Sequence, residues 1–185
     1  MLNAFVKNNA VGSVIEFGCG DGGQLALAAY PAYTGVDVSD RALDLCRARF
    51  DCDASKCFLL LDRYDGRKAD MALSLDVVYH LVEDAVFEAH MRTLFDAATR
   101  FVAVYSSDTN DNRDIQGLHI RHRKFTDWVR TNRPDWVLLC RVPNRIPYDG
   151  SGVRSSFADF YIFAKPASQN GNAETILPEN AVSQT

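Results

Sequence analysis

The chain has 185 residues, 47% of them hydrophobic, which is enough for one well-buried domain and too little for two ordinary ones. Its 20 Lys and Arg against 24 Asp and Glu leave a net charge of −4, which argues against a global attraction to nucleic acid or to an anionic membrane. No apolar run approaches the ~20 residues of a membrane-spanning helix, and Cys19, Cys46, Cys52, Cys57 and Cys140 carry neither a CxxC pair nor a zinc-like His/Cys spacing. The expectation is a soluble cytoplasmic protein with reduced, mostly buried thiols and no metal centre.

Apolar runs alternate with helical patterns, the signature of βαβ units and a parallel sheet covered on both faces. "SVIEF" (13–17) reads as a buried strand, and "GGQLALAAY" (22–30) as a helix that Pro31 stops. "YTGVDV" (33–38) is a second strand. Ser39 is suited to cap a helix in which Ala42, Leu43, Cys46 and Phe50 recur at helical spacing. "KCFLLLD" (56–62) and "ADMALSLD" (69–76) are the third and fourth strands, "EDAVFEAHMRTLFDAA" (83–98) a long helix, and "RFVAVYSS" (100–107) the fifth strand. "SDTNDNRDIQG" (107–117) has turn residues and no apolar period, as an exposed loop does. "HRKFTDWVRTN" (122–132) follows as a helix, and "DWVLLCRV" (135–142) and "SFADFYIFAK" (156–165) as two strands close enough to pair antiparallel. These elements make one domain over 1–165, and "PASQNGNAETILPENAVSQT" (166–185) reads as a disordered tail.

The glycine-rich segment after the first strand is the main pointer to chemistry. Glycines there let the backbone turn sharply and let a ligand approach with no Cβ in the way. Gly18, Gly20 and Gly23 satisfy GxGxxG, and Asp37 stands at the spacing of a carboxylate that grips a ribose, so a nicotinamide dinucleotide fits the spacing. Glu16 argues the other way. A carboxylate within a strand is costly to bury without a positive or hydrogen-bonding partner; an amino-acid ammonium would serve, whereas a pyrophosphate would be repelled. S-adenosylmethionine offers that ammonium, a sulfonium charge and no phosphate.

"EFGCGDGG" (16–23) resembles motif I of the class I S-adenosylmethionine-dependent methyltransferases, "GVDVS" (35–39) resembles the end of their second strand, and "ADMALSLDVVYHL" (69–81) is similar to their fourth strand and the turn after it. The likeness runs from Ser13 to Ser107 and, through strand order, to about Lys165. It implies an α/β, Rossmann-like doubly wound sheet of seven strands in the order 3-2-1-4-5-7-6, the last strand antiparallel, with helices on both faces. It also implies methyl transfer from S-adenosylmethionine, leaving S-adenosylhomocysteine, to an oxygen or nitrogen of a small acceptor. Carried over by motif position, Gly18, Cys19, Gly20 and Gly22 pass beneath the methionine and ribose parts. Asp37 holds the ribose hydroxyls, Val38 packs on the adenine and Asp62 accepts from its amino group; Leu75 and Asp76 lie near the methionine portion. The chain departs from the family in its short, charged "LLLDRYDGRKAD" (59–70) and in having only Met1 to Gly12 before the first strand, which leaves two expectations, a truncated chain or an unusually open substrate pocket.

His80, just past the fourth strand, is the candidate general base; His90, within a helix, reads as a surface residue. "HIRHRKF" (119–125) brings together His119, Arg121, His122 and Arg123, an arrangement able to hold an anionic acceptor, with Arg141, Asn144 and Arg145 at the same mouth. One short basic run in an acidic chain is a weak case for nucleic acid. The alternatives are an NAD(P)-dependent oxidoreductase of Rossmann type and a catalytically silent S-adenosylmethionine-binding subunit. Neither the acceptor nor the oligomeric state follows from the residues.

Overall fold

A computed structural model of the chain describes residues 1–113, 117, 119–148 and 155–166. The segment expected to be a disordered tail lies, from residue 167 on, outside the described residues. The elements in chain order are α1 (Leu2–Asn8), β1 (Val14–Phe17), β2 (Tyr33–Asp37), α2 (Asp40–Arg49), β3 (Lys56–Leu60), β4 (Ala69–Leu75), α3 (Asp84–Ala97), β5 (Ala98–Ser106), α4 (Phe125–Asn132), β6 (Val137–Val142) and β7 (Asp159–Ala164). They form one seven-stranded sheet in the order β3-β2-β1-β4-β5-β7-β6. All pairs from β3 to β5 are parallel, and β7 runs antiparallel to both β5 and β6. That is the order and sense implied by the resemblance.

The central strands are apolar runs because both their faces are covered. Along β5 and β7 the side chains alternate between two cores. Val102, Val104, Tyr161 and Phe163 pack with Phe87, Met91, Leu94 and Phe95 of α3 and with Phe125 and Val129 of α4. On the other face Phe101, Ala103 and Ile162 pack with Phe5 and Val6 of α1 and with Leu43 and Cys46 of α2. Ser39 caps α2 as expected, its hydroxyl accepting from the Ala42 amide at 3.3 Å. Among the described residues no helix is long and apolar enough to cross a membrane. All five cysteines are free; Cys19 and Cys46 are buried, Cys57 and Cys140 half-buried and Cys52 exposed.

Two helices differ from expectation. The segment 22–30 forms only a single 3₁₀ turn, Leu25–Leu27. Gly22 and Gly23 at its front and Pro31 behind leave seven residues, too few to repay helix nucleation, and of the turn's three residues only Leu25 is buried while Leu27 is 82% exposed. The turn is instead tied to α1: the Asn3 side-chain amide donates to the Leu27 carbonyl at 2.9 Å and accepts from the Ala29 amide at 3.0 Å. Helix α4 starts at Phe125, not His122, because Asp108 reaches over from the preceding loop to accept from the Thr126 amide at 3.0 Å and from its hydroxyl at 2.7 Å. The carboxylate sits at the positive end of the helix and offsets the basic residues ahead of it.

Candidate active site

Three glycines at the end of β1 have positive φ: Gly18 at 86°, Gly20 at 57° and Gly22 at 73°. Two of them shape the turn. A Cβ on Gly18 would fall 2.3 Å from Val77 Cγ2, so the chain presses against the segment following β4. A Cβ on Gly20 would meet nothing within 4 Å, so the backbone there faces open space. The Gly20 amide donates to Asp37 Oδ2 at 2.9 Å and the Ser39 amide to Oδ1 at 3.0 Å, which fixes the carboxylate at the end of β2.

A cavity lies on each side of this turn. The larger, about 510 Å³, is walled by Phe17, Val36, Val38, Leu61, Val77 and Leu81, with Asp37 at its edge and His90 among its lining residues. The smaller, about 220 Å³, is lined by Glu16, Gln24, Leu25, Tyr30, Leu75, Phe160 and the first residues of the chain. Strand alternation puts Ile15 and Phe17 on the α3 side of the sheet, which turns Glu16 toward the opposite face. Its carboxylate is buried, 5% exposed, and accepts a 2.6 Å hydrogen bond from the Tyr33 hydroxyl. Burial lifts the Glu16 carboxyl to about 7, the Tyr33 hydrogen bond opposes the shift, and the Asp37 charge adds to it.

The remaining nominated residues fall in different places. Cys19 is a packing residue: its sulfur lies 2.8 Å from where a Cβ of Gly35 would be, and burial pushes its thiol well above the ordinary range. Gly22 is buried against Cys46 and Phe50. Asp62 is exposed in a 3₁₀ turn, Leu61–Arg63, of which Leu61 rather than Asp62 lines the apolar cavity. Leu75 lines the smaller cavity, and Asp76, next to it, has φ 60°, a left-handed conformation unusual for a residue with a side chain. Asp76 is held by the Tyr79 hydroxyl, which donates to Oδ1 at 2.6 Å, and by its own amide, which donates to the Tyr105 carbonyl at 3.1 Å.

His80 is exposed and outside these cavities; its Nδ1 lies 3.1 Å from the His119 carbonyl and its ring stacks on that of His119 at 5.6 Å. Arg121 and Arg123 do line a cavity, of about 380 Å³, together with His122, Lys124 and Trp128, and both are ion-paired there. Arg121 donates to the Val82 carbonyl at 2.8 Å and pairs with Asp84 at 3.0 Å, and Arg123 donates to the same carbonyl at 2.6 Å and pairs with Asp84 at 3.0 Å. They pin the segment before α4 to the start of α3. Arg141 pairs with Asp159, and Asn144 bonds to Asp159 and to the Tyr105 hydroxyl; Arg145 is exposed.

His122 is different. Its Nδ1 lies 2.7 Å from the Ser107 hydroxyl, and besides the cavity it shares with the arginines it lines another, of about 280 Å³, at the carboxyl end of β5. Ser107, Tyr148 and Phe157 of that cavity were not singled out from the sequence, since no local pattern joins the end of β5 to residues some forty or fifty positions on. His90 also departs from expectation: it is not a surface residue. Its Nε2 lies 2.8 Å from Ser74 Oγ, its ring is edge-on to Phe17 at 6.3 Å, and burial pushes it down to about 4.

No protein-family model and no curated protein sequence matches the chain. Solved structures do. The methyltransferase domain of bacterial CtHen1-C superposes with a TM-score of 0.69 at 20% identity over 90% of this chain and 95% of its own. N-methyltransferase NodS from Bradyrhizobium japonicum WM9 gives 0.69 at 15% identity, covering 89% of this chain and 92% of its own. Magnesium protoporphyrin IX methyltransferase (ChlM) from Synechocystis PCC 6803, solved with bound SAH, gives 0.66 at 18% identity, covering 89% of this chain and 80% of its own. The fold of this chain is that of the class I S-adenosylmethionine-dependent methyltransferases.

Proposed function

We propose that the chain is an S-adenosylmethionine-dependent methyltransferase acting on a small molecule. The carrying observation is the pair of unlike cavities on either side of one glycine turn: an apolar one beside Asp37 and one containing the buried carboxylate of Glu16. An adenosine carrying a cationic amino-acid tail has these two halves. Asp37 would accept from the ribose hydroxyls and Val38, Leu61 and Val77 would cover the adenine. The open space at Gly20 would admit the sugar, and Glu16 would attract the ammonium. Bound there, S-adenosylmethionine supplies an electrophilic methyl on a sulfonium. The chain's contribution is to hold donor and acceptor together in a dry crevice, worth about 7–11 kcal/mol of a barrier in favourable cases.

A dinucleotide fits less well. Two carboxylates beside the turn repel a diphosphate, and the antiparallel β7 departs from the all-parallel dinucleotide-binding sheet. Calorimetric titration separates the readings: S-adenosylhomocysteine is expected to bind one-to-one while NADH and NADPH give no heat. Binding of a dinucleotide with none of S-adenosylhomocysteine at millimolar concentration would overturn the proposal. Binding without turnover across a broad acceptor panel would point to a silent cofactor-binding subunit.

A further inference from the structure

The cavity at the carboxyl end of β5 shares no described lining residue with the two cavities beside the glycine turn, and is linked to the segment after β4. Tyr79 forms the join: its hydroxyl holds Asp76 at 2.6 Å and its ring lies edge-on to Phe157 at 4.9 Å. We propose that this cavity is the acceptor site, that it takes a neutral hydroxyl-rich ring such as a pyranoside or a cyclitol, and that His122 receives the proton of the hydroxyl that is methylated. The inference rests on the methyltransferase reading above and narrows it to oxygen as the acceptor atom.

Three features carry it. The first is composition: Ser107, Thr109, Asp111 and His122 offer hydrogen bonds, while Phe157 and Ile120 offer apolar surface. A polyol ring presents both chemistries at once, C–H faces and a girdle of hydroxyls, whereas a simple phenol brings a single hydroxyl to that polar edge. At about 280 Å³, the share of roughly nine waters in bulk liquid, the cavity suits one substituted ring rather than a polymer. The second is charge. No Lys or Arg is among the described lining residues, and the one carboxylate there, Asp111, is paired with Arg113, so the wall offers an anionic acceptor no cation of its own.

The third is the setting of His122. Its backbone is clamped both ways by Asn112, whose side chain accepts from the His122 amide at 2.7 Å and donates to its carbonyl at 3.0 Å. Its ring is edge-on to Phe157 at 4.7 Å, and Ser107 holds Nδ1. In the tautomer that donates Nδ1–H to Ser107, Nε2 has a free lone pair. Partial burial holds this imidazole below its ordinary range against the pull of Asp111, so it is neutral at pH 7 and able to take a proton. As the acceptor oxygen bonds the methyl carbon, the carbon–sulfur bond breaks with its electron pair left on sulfur, and the hydroxyl proton passes to Nε2 and then to water.

Nuclear magnetic resonance of the ¹⁵N-labelled protein tests the site without turnover. The probes are neutral polyols (methyl glycosides of glucose, galactose and mannose, and myo-inositol), with phenol and glucose 6-phosphate as the competing chemistries, all at tens of millimolar. At least one neutral polyol is expected to shift the His122 ring nitrogens together with the Ser107 and Thr109 backbone amides, and to lose its effect on those amides in His122→Ala. No polyol response, or a stronger one to phenol or to the phosphate ester, overturns the proposal. For a polyol that binds, turnover is expected to rise with pH along one ionisation below the usual histidine value. His122→Asn should lower kcat by about 10²- to 10⁴-fold and leave S-adenosylhomocysteine affinity within twofold; unchanged kcat also overturns it. If S-adenosylhomocysteine binds and the polyols do not, only this inference fails, whereas absence of S-adenosylhomocysteine binding defeats the reading beneath it.

Discussion

Replacing Glu16 with Gln tests the electrostatics of the turn directly. The folded carboxyl titrates at about 7 against an ordinary 4.5, chiefly because it is buried. Between those values the folded chain holds a proton that the unfolded chain has lost, so stability falls as pH rises through that window and is lowest once Glu16 is ionised. The shift corresponds to about 3 kcal/mol. Gln keeps an acceptor for the Tyr33 hydroxyl and does not titrate, so Glu16→Gln should match the wild type near pH 4.5 and exceed it by up to about 3 kcal/mol at pH 8. Urea unfolding of both proteins from pH 5 to 8.5, without cofactor, gives the difference curve, in which groups common to the two cancel. A difference that stays constant with pH would refute the argument. With saturating S-adenosylmethionine present the gap should narrow: the carboxylate that burdens the free protein would attract the ligand's ammonium, and the Gln variant should bind at least tenfold more weakly at pH 8, which returns about 1.4 kcal/mol or more to the wild type.

Two further substitutions probe the surroundings. Gly20→Ala forces a side chain into a left-handed conformation, which costs on the order of 1–3 kcal/mol, and fills the open space over the turn; S-adenosylhomocysteine affinity measured by calorimetry should drop at least tenfold. Asp108→Ala removes the cap of α4 and should cost about 1 kcal/mol. In a chain of this size that lowers the melting temperature by roughly 2–4 °C, readable by calorimetric scanning at neutral pH with Asp108→Asn retaining most of the stability.

The sheet was legible because its strands are covered on both faces and so appear as unbroken apolar runs, and because the acidic residue before the glycines and the one ending the second strand occupy fixed places in a known motif. Elements whose fate depends on distant partners were not. The basic segment carried no sign that Asp84, some 37 to 39 residues away, pairs with both of its arginines. His90 is instructive in another way. It lies three residues after Phe87 and one before Met91, on the edge of the buried stripe of α3, so the helical period already carried its burial; its polar side chain hid that signal. Ser107 and His122 are 15 residues apart across a loop without periodicity, and only the folded chain brings them into contact.

The single turn that replaces a helix after the glycines leaves the smaller cavity with an unusual wall. One side is Glu16 and Leu75 of the sheet; the other is Met1, Leu2 and Asn3 at the front of α1, which is stitched to the turn through Asn3. A molecule seated between them touches both, so its affinity and the docking of α1 are reciprocally coupled: whatever loosens the leading helix weakens the ligand by the same factor, and the ligand in turn shields that helix from proteases. The front of α1 would thus act as a clasp on whatever occupies that cavity.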